Sequence, residues 1–193
     1  MDWGSEQLLF SLLGGKGAFL DVGAHIGYYS LYMLPRVEAV YALEPDPRVR
    51  ALLEKNVSAI PNIEVISSAV SATEGAAHFT LERHSEVSQL SRAGDSASEQ
   101  IEVQVTTIDA FSARRSLATE AIKIDVEGHD TEVIRGALRV LTGQQPLVLT
   151  EAKPDRELFA LAGRVNYRVF AWLRYAGEKR KVLQERCFAA ARL

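Results

Sequence analysis

The chain has 193 residues, of which 47% are hydrophobic and 24% are charged, a composition typical of a globular domain. Its length suits a single domain over residues 1–193 with a sizeable buried core. The formal net charge of −3 gives no global attraction to nucleic acid or to an anionic membrane. No stretch approaches the roughly 18 apolar residues of a membrane span, and the N-terminus lacks the basic start of a signal peptide. With Cys187 as the only cysteine, we expect a cytoplasmic protein.

Strand-like and helix-like segments alternate through the first 70 residues, which predicts a doubly wound sheet. The predicted strands cover residues 18–22, 39–43 and 63–70. The predicted helices cover residues 5–13, 28–34 and 47–59, and Pro35 is expected to stop the second of them.

The alternation breaks after residue 70, where two strand candidates, 76–81 and 101–107, flank a polar stretch over 84–100. We interpret this part as a β excursion after the third strand, with a mobile loop that covers a site. The alternation then resumes, with strands at 121–126 and 147–150, helices at 131–141 and 155–162, and a closing antiparallel pair at 167–173 and 181–187. The expected fold is α/β and Rossmann-like, with a seven-stranded, mostly parallel sheet. Ligands of such sheets bind at the carboxyl ends of the strands.

The most informative segment is A-F-L-D-V-G-A-H-I-G, residues 18–27, in which an apolar run ends in an acid and two glycines. Glycines at 23 and 27 let the backbone approach a ligand where a Cβ would clash. The helix that follows directs its free N–H groups into the same space. Glu44 ends the second strand, where an acid accepts hydrogen bonds from a ribose diol.

The spacing of the glycines selects the kind of nucleotide. A dinucleotide fold requires G-x-G-x-x-G, but the second and third glycine positions hold His25 and Tyr28. An imidazole at the second position blocks the close approach of a pyrophosphate, which disfavours an NAD-dependent oxidoreductase. The pattern favours a ligand with a ribose but no phosphate, namely S-adenosylmethionine. The alternative is a tight strand-to-helix turn that binds no ligand.

A second cluster, A-I-K-I-D-V-E-G-H-D, covers residues 121–130. Alternation along a strand places Lys123, Asp125 and Glu127 on one face. Three charged groups on a buried strand are costly unless they are paired or used. A carboxylate at this strand end can orient a substrate hydroxyl or accept its proton. The alternative is that Lys123 pairs with one acid and that Asp130 caps the next helix.

Five segments, in this order, resemble the FkbM-type methyltransferases: D-V-G-A-H-I-G-Y-Y-S, L-E-P-D-P, S-A-V-S, V-T-T-I-D and I-K-I-D-V-E-G-H-D. The resemblance covers residues 18 to about 152, and the I-K-I-D-V-E-G string is its most specific part. It implies a class I Rossmann-like methyltransferase fold with S-adenosylmethionine as methyl donor. It also implies O-methylation of a hydroxyl on a sugar or secondary metabolite.

The resemblance assigns roles by position. The residues around the methionine part of the cofactor are Asp21, Gly23 and Gly27, the ribose acid is Glu44, the adenine residues are Ser68 and Ala69, the strand-four acids are Asp125 and Glu127, and the acid after strand five is Glu151.

Two histidines depart from the family pattern. His25 stands where the family commonly has Asn, and it either replaces that amide beside the cofactor or reaches the substrate as a base. His129 stands where a small residue is common, at a helix start near Glu127, and is a candidate general base. With Asp125 and Glu127, His129 completes the predicted catalytic set.

We therefore expect an S-adenosylmethionine-dependent O-methyltransferase that acts on a small hydroxylated molecule. Asp125, Glu127 and Glu151 could hold a divalent ion if they converged, but no close-spaced ligand motif exists and no metal is predicted.

One alternative function is methylation of nucleic acid or protein, which only the basic segment 164–193 supports, with eight Lys/Arg against two Glu. No D-P-P-Y or N-P-P-Y motif is present. Another is a non-catalytic cofactor-binding domain, since the N-terminal part is short. The sequence leaves open whether the chain forms a homo-oligomer.

Overall fold

The computed structural model describes residues 5–81, 89–90, 99–151, 156–173 and 186–191. Within these residues the strands are β1 Ala18–Val22, β2 Ala39–Leu43, β3 Ile63–Ile66, β4 Ala69–Val70, β5 Gly75–Leu81, β6 Gln89–Leu90, β7 Glu99–Thr106, β8 Thr119–Ile124, β9 Leu147–Thr150, β10 Arg168–Leu173 and β11 Arg186–Ala191. The helices are α1 Ser5–Leu12, α2 Tyr28–Met33, α3 Pro47–Val57, α4 Ile108–Arg115, α5 Asp130–Arg135, α6 Leu138–Gly143 and α7 Arg156–Arg164.

The central sheet has the strand order β10-β11-β9-β8-β1-β2-β3. The five strands from β9 to β3 are parallel, whereas β11 runs antiparallel to both β9 and β10. The predicted α/β class and the mostly parallel sheet are therefore confirmed; the parallel part has five strands, and the antiparallel pair extends it at one edge. The strand order reverses between β1 and β8, where such sheets open a ligand crevice.

Two apolar layers cover the two faces of the central sheet. Along β1 and β8 the side chains alternate, so Phe19 and Ala121 pack with the α1–α3 side while Leu20 and Ile122 pack with the α4–α7 side. All five residues of β1 are buried. Burial on both faces makes the strand's single charged residue, Asp21, an exception that needs a partner.

The predicted third strand, residues 63–70, is wrong as one element. It divides into β3, which joins the central sheet, and β4, which pairs with β7 in a second sheet of order β4-β7-β5-β6. The antiparallel pairing of β5 with β7 matches the predicted excursion. Residues 84–88 and 91–98 of the expected covering loop lie outside the described residues.

The predicted helix 131–141 divides into α5 and α6. Gly136 lies between the two helices. A Cβ at this position would lie 2.1 Å from the carbonyl oxygen of Ser71, so the backbone at Ser71 leaves no room for a side chain. Helix α4 was not predicted. It begins after Thr107, whose hydroxyl accepts a hydrogen bond from the backbone N–H of Ala110 at 3.0 Å.

Other differences concern boundaries. Pro35 lies inside a 3-10 helix, Leu34–Arg36, that follows α2 directly. Helix α7 continues through Gly163, and β11 begins at residue 186 instead of 181. Residues 181–185 lie outside the described part. Among the residues that the structure describes, no helix is long and apolar enough to cross a membrane.

Candidate active site

Four residues lie side by side where four parallel strands end. The last residues of β2, β1, β8 and β9 are in register, and the next residue along each strand is Glu44, Gly23, Asp125 or Glu151. Backbone hydrogen bonds extend the ladder by this one residue, at 3.0, 3.1 and 3.2 Å from the N–H groups of Gly23, Asp125 and Glu151. We call these four residues the edge row. Adjacent strands are about 4.8 Å apart, so Glu44 and Asp125 are separated by about 10 Å.

The turn between β1 and α2 has a left-handed backbone at three positions, with φ of +73° at Gly23, +51° at His25 and +91° at Gly27. A Cβ would lie 1.9 Å from the carbonyl oxygen of Asp125 at the first glycine and 2.6 Å from Leu53 at the second. Histidine, like asparagine, is enriched in left-handed conformations. The backbone therefore explains why His25 can replace the family's Asn, and the role of its ring stays a prediction.

The carboxylate of Glu44 is buried, with 7% of the residue exposed, and it fixes the glycine turn. Oε2 accepts a hydrogen bond from the backbone N–H of His25, and Oε1 accepts one from that of Asp46, both at 2.9 Å. Burial raises the pKa of Glu44, and the two backbone hydrogen bonds oppose that rise. Each carboxylate oxygen accepts more than one hydrogen bond, so Glu44 can also bind a ribose hydroxyl.

Lys123 is a buried cation that connects the edge row to the strands beneath it. Its ammonium donates a hydrogen bond to the carbonyl oxygen of Gly23 at 2.7 Å. It lies 3.4 Å from Oδ2 of Asp125 and 3.5 Å from Oδ1 of Asp21. Burial acts to lower the pKa of Lys123, but the two carboxylates outweigh burial and raise it. The expected pairing of Lys123 with an acid is confirmed, with two acids instead of one.

Asp21 lies beneath the turn, with no exposed surface. Its Oδ2 accepts a hydrogen bond from the Ser30 hydroxyl at 2.6 Å, and its Oδ1 faces the Lys123 ammonium. Its carboxylate is enclosed by protein, and its predicted position around the methionine part of the cofactor stays a prediction. Asp21 is connected to the edge row through the Lys123 ammonium, which also contacts Gly23 and Asp125.

Helix α1 closes one side of this buried group. The Tyr28 hydroxyl donates a hydrogen bond to Oε1 of Glu6, and the hydroxyls of Ser5 and Tyr29 are 3.2 Å apart. The Tyr29 ring lies 5.4 Å from the Lys123 ammonium, within cation–π range. These contacts were not predicted, and their one signal in the sequence is the aromatic pair Tyr28–Tyr29 beside the glycine turn.

Asp125 and Glu151 are neighbours in the edge row. The Asp125 side chain is 34% exposed and ion-paired with Lys123. Glu151 is solvent-exposed as a residue, yet its surroundings raise the pKa of its carboxyl to about 7. The first cause is the loss of water around the carboxyl group where protein atoms surround it, although other atoms of the residue are exposed. The next is repulsion from Asp125, which Lys123 opposes, and the repulsions from Asp130 and Glu127 are smaller. Solvent at the open side screens part of this repulsion.

The segment after β8 turns sharply into α5. Glu127 and Gly128 have left-handed φ values of +48° and +81°, and Glu127 is exposed. Nε2 of His129 lies 2.9 Å from the Ser71 hydroxyl, which holds the ring against the segment that follows β4. The catalytic roles of Glu127 and His129 stay predictions.

Asp130 does not cap α5. It is the first residue of the helix, is 3% exposed, and accepts a hydrogen bond from the Thr150 hydroxyl at 3.0 Å. Burial raises the pKa of Asp130. The expected capping role is wrong because the side chain points to the neighbouring strand end.

The two predicted adenine residues differ in position. Ser68 is half-buried and follows the end of β3, beside the edge row. Ala69 is 5% exposed and packs in the second sheet with Phe79 and Val105. Ala69 is buried because the predicted third strand divides and β4 joins the second sheet. Ser68 is therefore better placed than Ala69 to contact an adenine ring.

Within the described part of the chain, no three His, Cys, Asp or Glu side chains form a group suited to a metal ion. The residues that could hold an S-adenosyl group are Glu44 at one end of the edge row and Gly23 at its centre. These residues fit the group, because the Glu44 carboxylate can accept hydrogen bonds from a ribose diol and stands two strands from Asp125 and three strands from Glu151.

A family model described as the methyltransferase FkbM domain matches residues 21–180. A search of curated proteins found no match. Methyltransferase FkbM from Methylobacillus flagellatus has a similar structure, with a TM-score of 0.61, 18% identity and 93% of this chain covered. This chain spans 45% of the length of that protein.

Two further structures have the same fold at lower similarity. Precorrin-6y C5,15-methyltransferase from Geobacter metallireducens has a TM-score of 0.57 at 13% identity, over 97% of this chain and 87% of that one. TrmK from M. capricolum, solved with S-adenosylhomocysteine, has a TM-score of 0.53 at 13% identity, over 98% and 67%. At these identities the likeness establishes the fold alone.

Proposed function

The chain belongs to the FkbM methyltransferase family, and we propose that it transfers a methyl group from S-adenosylmethionine to a hydroxyl of a small molecule, such as a sugar or secondary metabolite. The observation that carries the proposal is the edge row: a buried carboxylate, Glu44, stands two strands away from the half-buried Asp125 and three strands away from the exposed Glu151. The TrmK structure with S-adenosylhomocysteine supports the choice of cofactor.

When bound, the cofactor supplies an electrophilic methyl group. Glu44 would hold its ribose, and the backbone of the glycine turn would lie against its methionine part. Asp125 would orient the acceptor hydroxyl, with Lys123 keeping the carboxylate in place at 3.4 Å. Positioning of this kind supplies much of the acceleration in a displacement reaction.

The charge of the site favours a neutral or cationic acceptor over nucleic acid. Glu44, Asp125, Glu127 and Glu151 are acids, and Lys123, which lies beside Asp125, is 5% exposed and ion-paired. A phosphate backbone needs exposed Lys or Arg to replace its counterions.

The single cysteine is consistent with a cytoplasmic enzyme.

The test is methyl transfer from radiolabelled S-adenosylmethionine to a panel of methyl glycosides and phenols, with transfer RNA and ribosomal RNA as rival acceptors. We expect label in at least one hydroxylated compound, and Asp125→Ala should lower turnover more than cofactor affinity. Label in RNA alone would overturn the small-molecule proposal. Cofactor binding without transfer to any acceptor would favour a non-catalytic domain.

A further inference from the structure

Three charged side chains lie together beneath the glycine turn, and we call Asp21, Lys123 and Asp125 the charge trio. The Lys123 ammonium lies 3.5 Å from Oδ1 of Asp21 and 3.4 Å from Oδ2 of Asp125. Asp21 has no exposed surface, Lys123 is buried, and Asp125 is half-buried. Two carboxylates and one ammonium leave the trio with one net negative charge.

The trio is in direct contact with the glycine turn. The Lys123 ammonium donates a hydrogen bond to the carbonyl oxygen of Gly23 at 2.7 Å, so the trio lies against the backbone that would hold the methionine part of the cofactor. Within the described part of the chain, Oδ1 of Asp21 accepts no hydrogen bond, and it faces the ammonium as an ion pair. Buried charges act over longer distances than surface charges, because less water lies between them and their surroundings.

The methylated and demethylated forms of the cofactor differ in charge at sulfur. S-adenosylmethionine has a positively charged sulfonium there, whereas S-adenosylhomocysteine has a neutral thioether. A net negative group near the sulfur therefore attracts the first form and exerts no such attraction on the second. The ribose, the adenine and the amino-acid part are the same in both forms, so contacts with these parts do not distinguish the two.

From this arrangement we propose that the charge trio makes the site select the methylated form of the cofactor over the demethylated form. Asp21 is the residue that determines this selection, because without its charge Lys123 and Asp125 cancel. This inference rests on the proposed function, and within it on the choice of cofactor. Asp21 acts through space, since its carboxylate is enclosed by protein. The attraction ends once the methyl group has been transferred, which favours exchange of the product for a new cofactor.

The experiment measures the affinities of S-adenosylmethionine and S-adenosylhomocysteine by calorimetry and compares their ratio between variants. Asp21→Asn leaves the trio neutral and keeps an acceptor for the Ser30 hydroxyl. It should shift the ratio toward S-adenosylhomocysteine by about 2- to 16-fold, the range for unit charges about 10 Å apart at effective dielectric constants from that of water down to about 20. Lys123→Met leaves two negative charges and should shift the ratio in the opposite direction.

Two further variants serve as controls. The double variant Asp21→Asn with Lys123→Met has the net charge of the wild-type trio, so its ratio should return toward the wild-type value. Glu38 is an exposed acid directly before β2, at the opposite end of that strand from Glu44. Glu38→Gln also removes one negative charge, and it should leave the ratio unchanged. The acids Glu44, Glu127 and Glu151 are present in every variant, so the comparison isolates the trio.

Loss of affinity for both ligands by the same factor in Asp21→Asn would overturn the inference and leave the proposed function standing. Asp21 would then support the turn or contact the amino-acid part that both ligands share. If Asp21→Asn does not fold, Lys123→Met and the double variant differ by the same charge, and equal ratios in these two would overturn the inference. The predicted ratios without methyl transfer to any acceptor would support the selection and count against the proposed function. A wild-type protein that binds neither ligand would overturn both.

Discussion

Replacement of Lys123 by methionine tests the buried charge network beneath the glycine turn. Lys123 is 5% exposed, and Asp21 beside it has no exposure at all, so the variant leaves a buried carboxylate without its cation. It also removes the hydrogen bond to the carbonyl oxygen of Gly23. Breaking a buried ion pair by removing one partner costs about 3–5 kcal/mol, and we expect Lys123→Met to lose that much. Methionine retains most of the apolar length of the side chain, so packing changes little.

The assay is urea unfolding at neutral pH, with Lys16→Met as the control, because Lys16 is an exposed lysine. The control should stay within about 0.5 kcal/mol of wild type. The double variant Asp21→Asn with Lys123→Met removes both charges and keeps an acceptor for Ser30, so it should recover about 2 kcal/mol. A Lys123→Met protein within about 1 kcal/mol of wild type would refute the reasoning that Lys123 compensates Asp21.

The remaining predictions concern the edge row. Glu44→Ala should weaken S-adenosylhomocysteine binding about 10- to 100-fold in calorimetry, because a hydrogen bond to a charged group contributes about 1.5–3 kcal/mol; unchanged affinity would remove the ribose assignment. Gly23→Ala places a Cβ 1.9 Å from the carbonyl oxygen of Asp125 and should cost more than about 2 kcal/mol in urea unfolding. Gly163→Ala, with nothing within 4 Å, should be neutral or slightly stabilising. Glu151→Gln should be more stable than wild type above pH 7: the folded-state pKa is raised to about 7 from the ordinary 4.5, so wild type loses stability as pH rises between these values. That advantage should vanish as the pH falls below 4.5 in the same assay, and its persistence there would contradict the pKa assignment.

Strands with clear apolar runs and turn residues at both ends could be predicted to the residue. The structure gives Ala18–Val22, Ala39–Leu43 and Leu147–Thr150 with the predicted bounds. The division after β3 could not be predicted, because Ile63–Ile66 and Ala69–Val70 are separated by only two serines, and the break between them depends on the pairing of β4 in the second sheet. Helix α4 has few apolar positions, so its local pattern is weak.

The candidate site could be predicted where the signal is local. Gly23, Gly27 and Glu44 follow from spacing along 22 residues, and the structure places Gly23 and Glu44 side by side. The pairing of Lys123 with Asp21 joins positions 102 residues apart, and it depends on β1 lying next to β8. The neighbouring positions of Asp125 and Glu151 likewise depend on β8 lying next to β9, an order that one sequence does not contain.

The central claim is that the edge row binds an S-adenosyl group with its reactive end toward the acids. A crystal structure of the full chain with S-adenosylhomocysteine tests it most directly. The account predicts ribose hydroxyls within hydrogen-bond distance of Glu44 and the sulfur on the side of Asp125 and Glu151. A ligand bound elsewhere, or a ribose without contact to Glu44, would contradict it.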